Sequence, residues 1–167
     1  MSDIRIVALT TDKIERVCAL AAEIWRHHYA GIISMAQIEY MLAQRYSPTE
    51  LRLELQRCDL WWDQLLVAGE MAGFASYCLS GNAGEMKLDK LYVHCHHQRK
   101  GYGRMLVDRA VTIARAYGCE TLVLAVNKRN VNAIAAYGKY GFVVAESVVK
   151  DIGGGFVMDD YLMTKNI

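Results

Sequence analysis

The segment Gln98-Arg99-Lys100-Gly101-Tyr102-Gly103 constrains this chain more than any other. It follows a run that alternates apolar and polar residues, Lys87–His94. It precedes a run at helical spacing, Leu106, Ala110, Ile113, Ala114 and Tyr117. The pattern is therefore strand, glycine-punctuated turn, helix. Glycine permits backbone conformations in which successive N–H groups point into one space. The helix that follows leaves its first N–H groups without acceptors and adds the positive end of its dipole. Such a turn can cradle a phosphate, and Arg99 and Lys100 place charge at its rim. Two other phosphate loops do not fit. The dinucleotide fingerprint wants a third glycine where Leu106 stands, and the nucleotide-triphosphate loop wants Gly-Lys followed by Ser or Thr.

A local device matters because bulk charge supplies nothing. Across 167 residues, 19 Lys and Arg nearly balance 18 Asp and Glu, for a net charge of +1. That gives no general attraction to nucleic acid or to an acidic membrane. Hydrophobic residues at 53% exclude the disordered class. The length suits one domain, 1–167, that builds a core without metal or disulfide staples. The longest apolar run is Val17 to Ala22, against the roughly 20 residues of a membrane span. The start, Met-Ser-Asp-Ile-Arg, lacks the basic and apolar regions of a signal peptide. Cys18, Cys58, Cys78, Cys95 and Cys119 are odd in number and contain no C-x-x-C. They are expected as free thiols in a reducing cytoplasm.

Periodicity and capping residues predict the element order. Ile4–Leu9 reads as a strand. Asp12 with Glu15, Ser34 with Gln37, and Ser47-Pro48 with Glu50 read as three helix starts. Leu60–Ala68 and Ala72–Leu79 read as a hairpin about Gly69. Thr121–Val126 reads as a buried strand and Val131–Tyr140 as a helix closed by Gly141. Phe142–Val149 and Phe156–Thr164 read as two last strands about Gly153, Gly154 and Gly155. An α/β (α+β) chain follows, with a mixed sheet and helices on both faces. His94, Cys95, His96 and His97 are consecutive, so their side chains cannot converge on one ion, and no metal is expected. His27 and His28 suit the negative end of the first helix; His28 could also line the acceptor cleft, but neither is assigned to the site.

Four blocks now stand in order: Leu91-Tyr92-Val93-His94, Gln98-x-x-Gly101-x-Gly103, Asn130-x-x-Ala133 and Tyr137-x-x-x-Gly141-Phe142. Their spacing resembles the GCN5-related N-acetyltransferase (GNAT) family over about one third of the chain, and the element order is similar throughout. The resemblance implies a mostly antiparallel sheet of about seven strands and acetyl-CoA as co-substrate. It implies that main-chain amides from Gln98 through Arg99, Lys100, Gly101, Tyr102 and Gly103 to Arg104 hold the pyrophosphate. A bulged, splayed strand at Leu91, Tyr92 and Val93 would pair with the pantetheine arm. Asn130 would touch that arm, although it also suits a helix N-cap. Tyr137 would protonate the departing thiolate, with Tyr140 as its alternative, although a core aromatic fits Tyr137 as well.

The base falls on Asp89, acting through water, or on Glu85; an ion pair of Asp89 with Lys87 or Lys90 is equally compatible. The helical start, Tyr29–Leu55, resembles the bacterial spermidine/spermine branch. That implies a small amine, polyamine-like, as acceptor; the last strands of the family often lie at dimer contacts, which implies a homodimer. Asp151, Asp159 and Asp160 flank the last glycines, which could let a cationic amine approach, although a solvated acidic loop is the plainer reading. The alternatives are an acetyl-CoA sensor without turnover and an acetyltransferase for peptide N-termini. A net charge of +1 would then hide two fields, basic at Arg99, Lys100 and Arg104 and acidic at Asp89, Asp159 and Asp160.

Overall fold

The hairpin signalled by Gly69 lies near the middle of the sheet in the computed structural model, which describes residues 2–167. Its strands are β2 (Leu60–Val67) and β3 (Glu70–Leu79). They are joined by Ala68 and Gly69, with φ of 52° and 83°. Two positive φ values mark the turn whose twist matches that of the flanking strands. β1 (Ile4–Ala8) pairs antiparallel with β2, and β4 (Glu85–Val93) antiparallel with β3. β5 (Thr121–Asn127) lies parallel to β4, β7 (Phe156–Asn166) antiparallel to β5, and β6 (Val143–Gly153) on the far edge. The order is β1-β2-β3-β4-β5-β7-β6, a seven-stranded, mostly antiparallel sheet.

Helices cover both faces. α1 (Ile14–His28), α2 (Met35–Arg45) and α3 (Pro48–Leu55) share one. There Ile14, Val17, Ala21, Ile24 and Trp25 of α1 join a core with Leu60, Trp62 and Phe74. α4 (Tyr102–Ala116) and α5 (Val131–Lys139) cover the other. Val107, Ala110 and Ala114 of α4 pack there with Tyr77, Leu88 and Leu122. Ser34 and Ser47 cap α2 and α3 by accepting from the amides of Gln37 and Glu50. The first helix departs from expectation. A 3-10 turn at Thr11–Lys13 precedes α1, and Asp12 accepts from the Thr10 hydroxyl instead of capping.

Two irregularities in β4 shape the site. First, Lys90 pairs with Ser76 and Leu88 with Tyr77, which leaves Asp89 without a partner of its own. Asp89 is the extra residue of a β-bulge, and an insertion of one residue reverses which face later side chains take. Lys90 lies over the rings of Trp62 and Tyr46 on the α1 face. Met86 and Leu88, four and two positions before it, lie in the opposite core. The alternation read from Lys87 to His94 therefore changes phase at Asp89. Second, β4 and β5 pair only from Glu85 to Lys87, after which they diverge. β5 is consequently not buried throughout, and Ala125 faces the opening.

The Gly153–Gly155 turn also serves a purpose other than the expected one. Tyr40 donates its hydroxyl to the Ile152 carbonyl, and a Cβ on Gly154 would lie 2.8 Å from the Tyr40 ring. The close approach is made by an internal tyrosine. Gly154 and Gly155 both have positive φ, at 62° and 80°, but a Cβ on Gly155 meets nothing within 4 Å. Gly154→Ala is therefore expected to cost more than Gly155→Ala, which bears only the backbone strain of about 1–3 kcal/mol. Thermal unfolding midpoints of the two variants check this, at about 2–4 °C per kcal/mol for a chain of this size.

Candidate active site

A cleft of about 1060 Å³ runs through the divergence of β4 and β5. Gln98, Arg99, Gly101, Tyr102 and Gly103 form one end. Leu91, Tyr92 and Val93 face Leu124–Asn127 across the middle, beneath Asn130, Tyr137 and Tyr140. Tyr40, Met41, Arg45, Glu50, Ile152, Met158 and Asp160 form the other end. Most residues expected at the site thus line one space. Lys100 and Arg104 do not line it. Arg104 lies over the ring of Tyr140 and bonds Asp108. Glu85 is also outside the cleft, accepting from Ser80 and Asn82.

The cradle is built from backbone. Gly101, with φ of 84°, occupies the N-cap of α4. Arg99 has φ of 60°, an uncommon conformation for a residue with a side chain. The Met105 amide makes the first helical bond, to Gly101, at 3.1 Å. The amides of Tyr102, Gly103 and Arg104 therefore have no intrahelical acceptor. A Cβ on Gly103 would lie 3.1 Å from the Tyr140 hydroxyl, so glycine leaves room for that ring beside the amides. Gln98 does not point its amide at a ligand. Its Nε2 donates to the Val93 carbonyl at 3.1 Å and ties the turn to the strand end.

In the middle of the cleft, β4 has β3 on one side and, beyond Lys87, no strand on the other. Apart from the Val93 carbonyl, which Gln98 holds, its outer backbone groups from Leu91 to Val93 are free to pair with an extended ligand. Asn130 holds the N-cap position of α5, but its side chain caps nothing. Its Oδ1 lies 3.1 Å from His28 Nε2 instead. Arg129 donates to the Gly31 and Ile32 carbonyls and so holds the end of α1 against the start of α5. Tyr29 and Tyr92 join hydroxyls at 3.0 Å. Apolar surroundings push the phenol of Tyr137 above its ordinary pKa, and the nearby phenols of Tyr29 and Tyr140 act in the same direction.

Of the two readings of Asp89, a base or an ion-pair partner of Lys87 or Lys90, the geometry favours the second. The Asp89 carboxylate accepts from Arg45 at 2.9 Å, Lys87 at 3.0 Å and Lys90 at 2.7 Å. Burial pulls its pKa upward, but Arg45, Lys90 and Lys87 together outweigh burial and hold the carboxyl far below its usual range. A carboxylate so held has little affinity for a substrate proton. Asp89 is an ion-pair anchor. Sequence reasoning passed over Arg45 and Glu54 because no spacing marks them, and it left His28, which lines the cleft, unassigned. They reach the site through the bulge and through the junction of α1 with α5. Among the described residues, no group of His, Cys, Asp or Glu is placed to hold a metal, and no helix is long and apolar enough to cross a membrane.

A split sheet, an amide cradle at a helix start and a tyrosine between them define an acyl-CoA-dependent transferase. The model of the acetyltransferase (GNAT) family matches residues 18–142, and the chain belongs to that family. It is 28% identical to a spermidine N(1)-acetyltransferase of Thermoplasma acidophilum, over 93% of this chain and 96% of the relative. A probable spermine N(1)-acetyltransferase of Bacillus subtilis subsp. natto is 29% identical over 47% of this chain and 56% of its own length. The solved PaiA N-acetyltransferase of T. acidophilum, in complex with coenzyme A, superposes with a TM-score of 0.85 at 27% identity, covering 99% of both chains. The protein is an acetyl-CoA-dependent N-acetyltransferase. Its cradle fits that co-substrate, with free amides for a pyrophosphate and a free strand edge for an extended arm.

Asp89→Asn would leave Arg45 without its counter-charge and Lys90, 1% exposed, with Glu54 alone. Breaking a buried ion cluster in this way is expected to cost about 3–5 kcal/mol. The folded pKa of Asp89 is depressed, so its contribution is complete above the unfolded value of about 3.9 and declines as pH falls below it. Urea unfolding of wild type and Asp89→Asn between pH 3 and 7 checks this. The stability difference is expected to be largest at pH 7 and to shrink on acidification.

Proposed function

We propose that the protein moves an acetyl group to a primary amine of a small molecule, a polyamine-like acceptor, by direct transfer with both substrates bound. The observation that carries this reading is one continuous cleft. It runs from the amide cradle, past the free edge of β4 and Tyr137, to an end lined by Tyr40, Met41, Ile152 and Met158. Apolar walls suit a polymethylene chain. Glu50 and Asp160, which form no ion pair among the described residues, offer charge to its ammonium groups. The names of the spermidine and spermine relatives support the same acceptor class.

In this reading acetyl-CoA supplies the thioester whose carbonyl receives the amine and whose sulfur departs. The amides of Tyr102, Gly103 and Arg104 hold its pyrophosphate, with Gln98, Arg99, Lys100 and Gly101 shaping the turn. The backbone of Leu91, Tyr92 and Val93 pairs with its arm, and Asn130 stands beside that arm. Tyr137, its phenol pushed up by burial, stays protonated at neutral pH and gives its proton to the departing sulfur. Tyr140 stands at the cradle and is too near Gly103 to be the first choice. No cysteine lines the cleft, which supports direct transfer over an acetyl-cysteine route. The five cysteines are free thiols, in keeping with a cytoplasmic enzyme. β6 leaves an open edge with Val143 63% and Val149 68% exposed, a surface that suits a homodimer.

Thiol release from acetyl-CoA is expected with spermidine, with intersecting rather than parallel initial-velocity lines. Tyr137→Phe is expected to lower kcat by roughly 10²–10⁴-fold and to leave coenzyme A binding intact. Acetyl-CoA binding without thiol release across polyamines, aryl-amines, amino acids and peptides would instead define a sensor. Release with peptide amino termini alone would move the acceptor to a protein.

A further inference from the structure

The acceptor end of the cleft contains several carboxylates, and almost all are already engaged. Asp89 is held by Arg45, Lys87 and Lys90. Glu54 accepts from Lys90 and from the indole of Trp62. In the glycine turn beyond, Asp151 accepts from the Gly153 amide. Asp159 pairs with Lys128. Asp160 differs from all of them. Its Oδ1 is buried and has no hydrogen-bond partner. It sits on β7 opposite Asn127, the last residue of β5, where β5 has already left β4. Glu50 also lines the cleft, but from the first turn of α3, away from the divergence of the strands.

We propose that Asp160 seats the reacting ammonium of the acceptor and takes its proton. The inference rests on the amine-acetyltransferase reading above and names the residue that completes it. An unpaired buried carboxylate oxygen loses its bonds to water without replacement, and an ammonium donor restores them. The step is balanced. The N–H bond of R–NH₃⁺ breaks, its electron pair stays on nitrogen, and the proton joins the Asp160 carboxylate, which becomes a neutral carboxyl. The freed amine then attacks the thioester carbonyl, the carbon–sulfur bond breaks, and the second nitrogen proton leaves and replaces the one that Tyr137 gives to sulfur; Asp160 returns its own proton to solvent before the next cycle. Burial raises the Asp160 pKa, and Asp159 adds to that. Arg45, Lys128 and Lys150 oppose it. Tyr29 also faces the group. The proton affinity is thus pushed toward what a base requires, whereas that of Asp89 is pushed away.

The test compares wild type, Asp160→Asn, Asp160→Glu and Asp159→Asn with spermidine as probe. At pH 7, Asp160→Asn is expected to lower kcat/KM by roughly 10²–10⁴-fold, with coenzyme A binding and thermal midpoint unchanged. The deficit is expected to shrink as pH approaches about 10, where the free amine forms without a base. Asp160→Glu should recover part of the rate, and Asp159→Asn, which removes only a neighbouring charge, should lose far less than Asp160→Asn. A deficit below about threefold at pH 7, or one of equal size at every pH, overturns the proposal. Direct titration of spermidine, followed by tryptophan fluorescence, separates this from failure of the parent reading. If wild type turns over and Asp160→Asn matches it, Asp160 is wrong and the acetyltransferase stands. If wild type releases no thiol yet binds spermidine only with Asp160 intact, the seat stands without the reaction. If wild type does neither, both fall.

Discussion

The Asp89 ion cluster holds the molecule's most consequential irregularity in place. Adjacent strand residues ordinarily point to opposite faces. Here Asp89 and Lys90 meet at 2.7 Å because the bulge at Asp89 lets neighbours converge. Arg45 from α2 and Glu54 from α3 join them, so the bulge is bound to the helical layer above it. The phase change that follows sends Met86 and Leu88 into one core and Lys90 to the other side. It also coincides with the point at which β4 parts from β5. Fold and cleft thus share one origin, a residue without a strand partner that is held by three cations.

That arrangement separates two tasks that one carboxylate cannot perform together. Holding a bulge shut requires a charge that stays ionised against three partners, and the same partners remove its appetite for protons. Accepting a proton requires a carboxylate with few partners and partial burial, which is the condition of Asp160. The expected acidic field at Asp89, Asp159 and Asp160 therefore contracts to one residue, since Lys128 answers Asp159 as well. The basic field contracts too, because Arg99 lines the cradle end and Lys100 and Arg104 do not.

Much of the fold was legible because it depends on local chemistry. Ser34 and Ser47 cap the helices they announced, Gly69 turns the hairpin, and Gly118 and Gly141 follow α4 and α5 with positive φ. The cradle was legible for the same reason, since a glycine turn before a helix needs only neighbours in sequence. What was not legible depends on distant parts. Asp89 reads as a strand carboxylate until Arg45, 44 residues earlier, reaches it. Asn130 reads equally as a cap and as a contact of the cofactor arm, and neither reading shows that His28, 102 residues earlier, takes its side chain. The three late glycines read as a solvated loop, or as room for an amine, until Tyr40 packs against Gly153 and Gly154. In each case the residue type was informative and the partner was not, because pairing across the sheet is set by packing and not by spacing.

The divergence of β4 and β5 has a mechanical consequence. Only three residue pairs join the two halves of the sheet directly, and beyond them each half presents a bare row of peptide groups to the other. An extended co-substrate lying in that gap would serve as an interrupted eighth strand, bridging halves that the chain itself leaves apart. Rigidity across the molecule would then be partly borrowed from its ligand, gained when the arm is seated and given back each time the product thiol leaves.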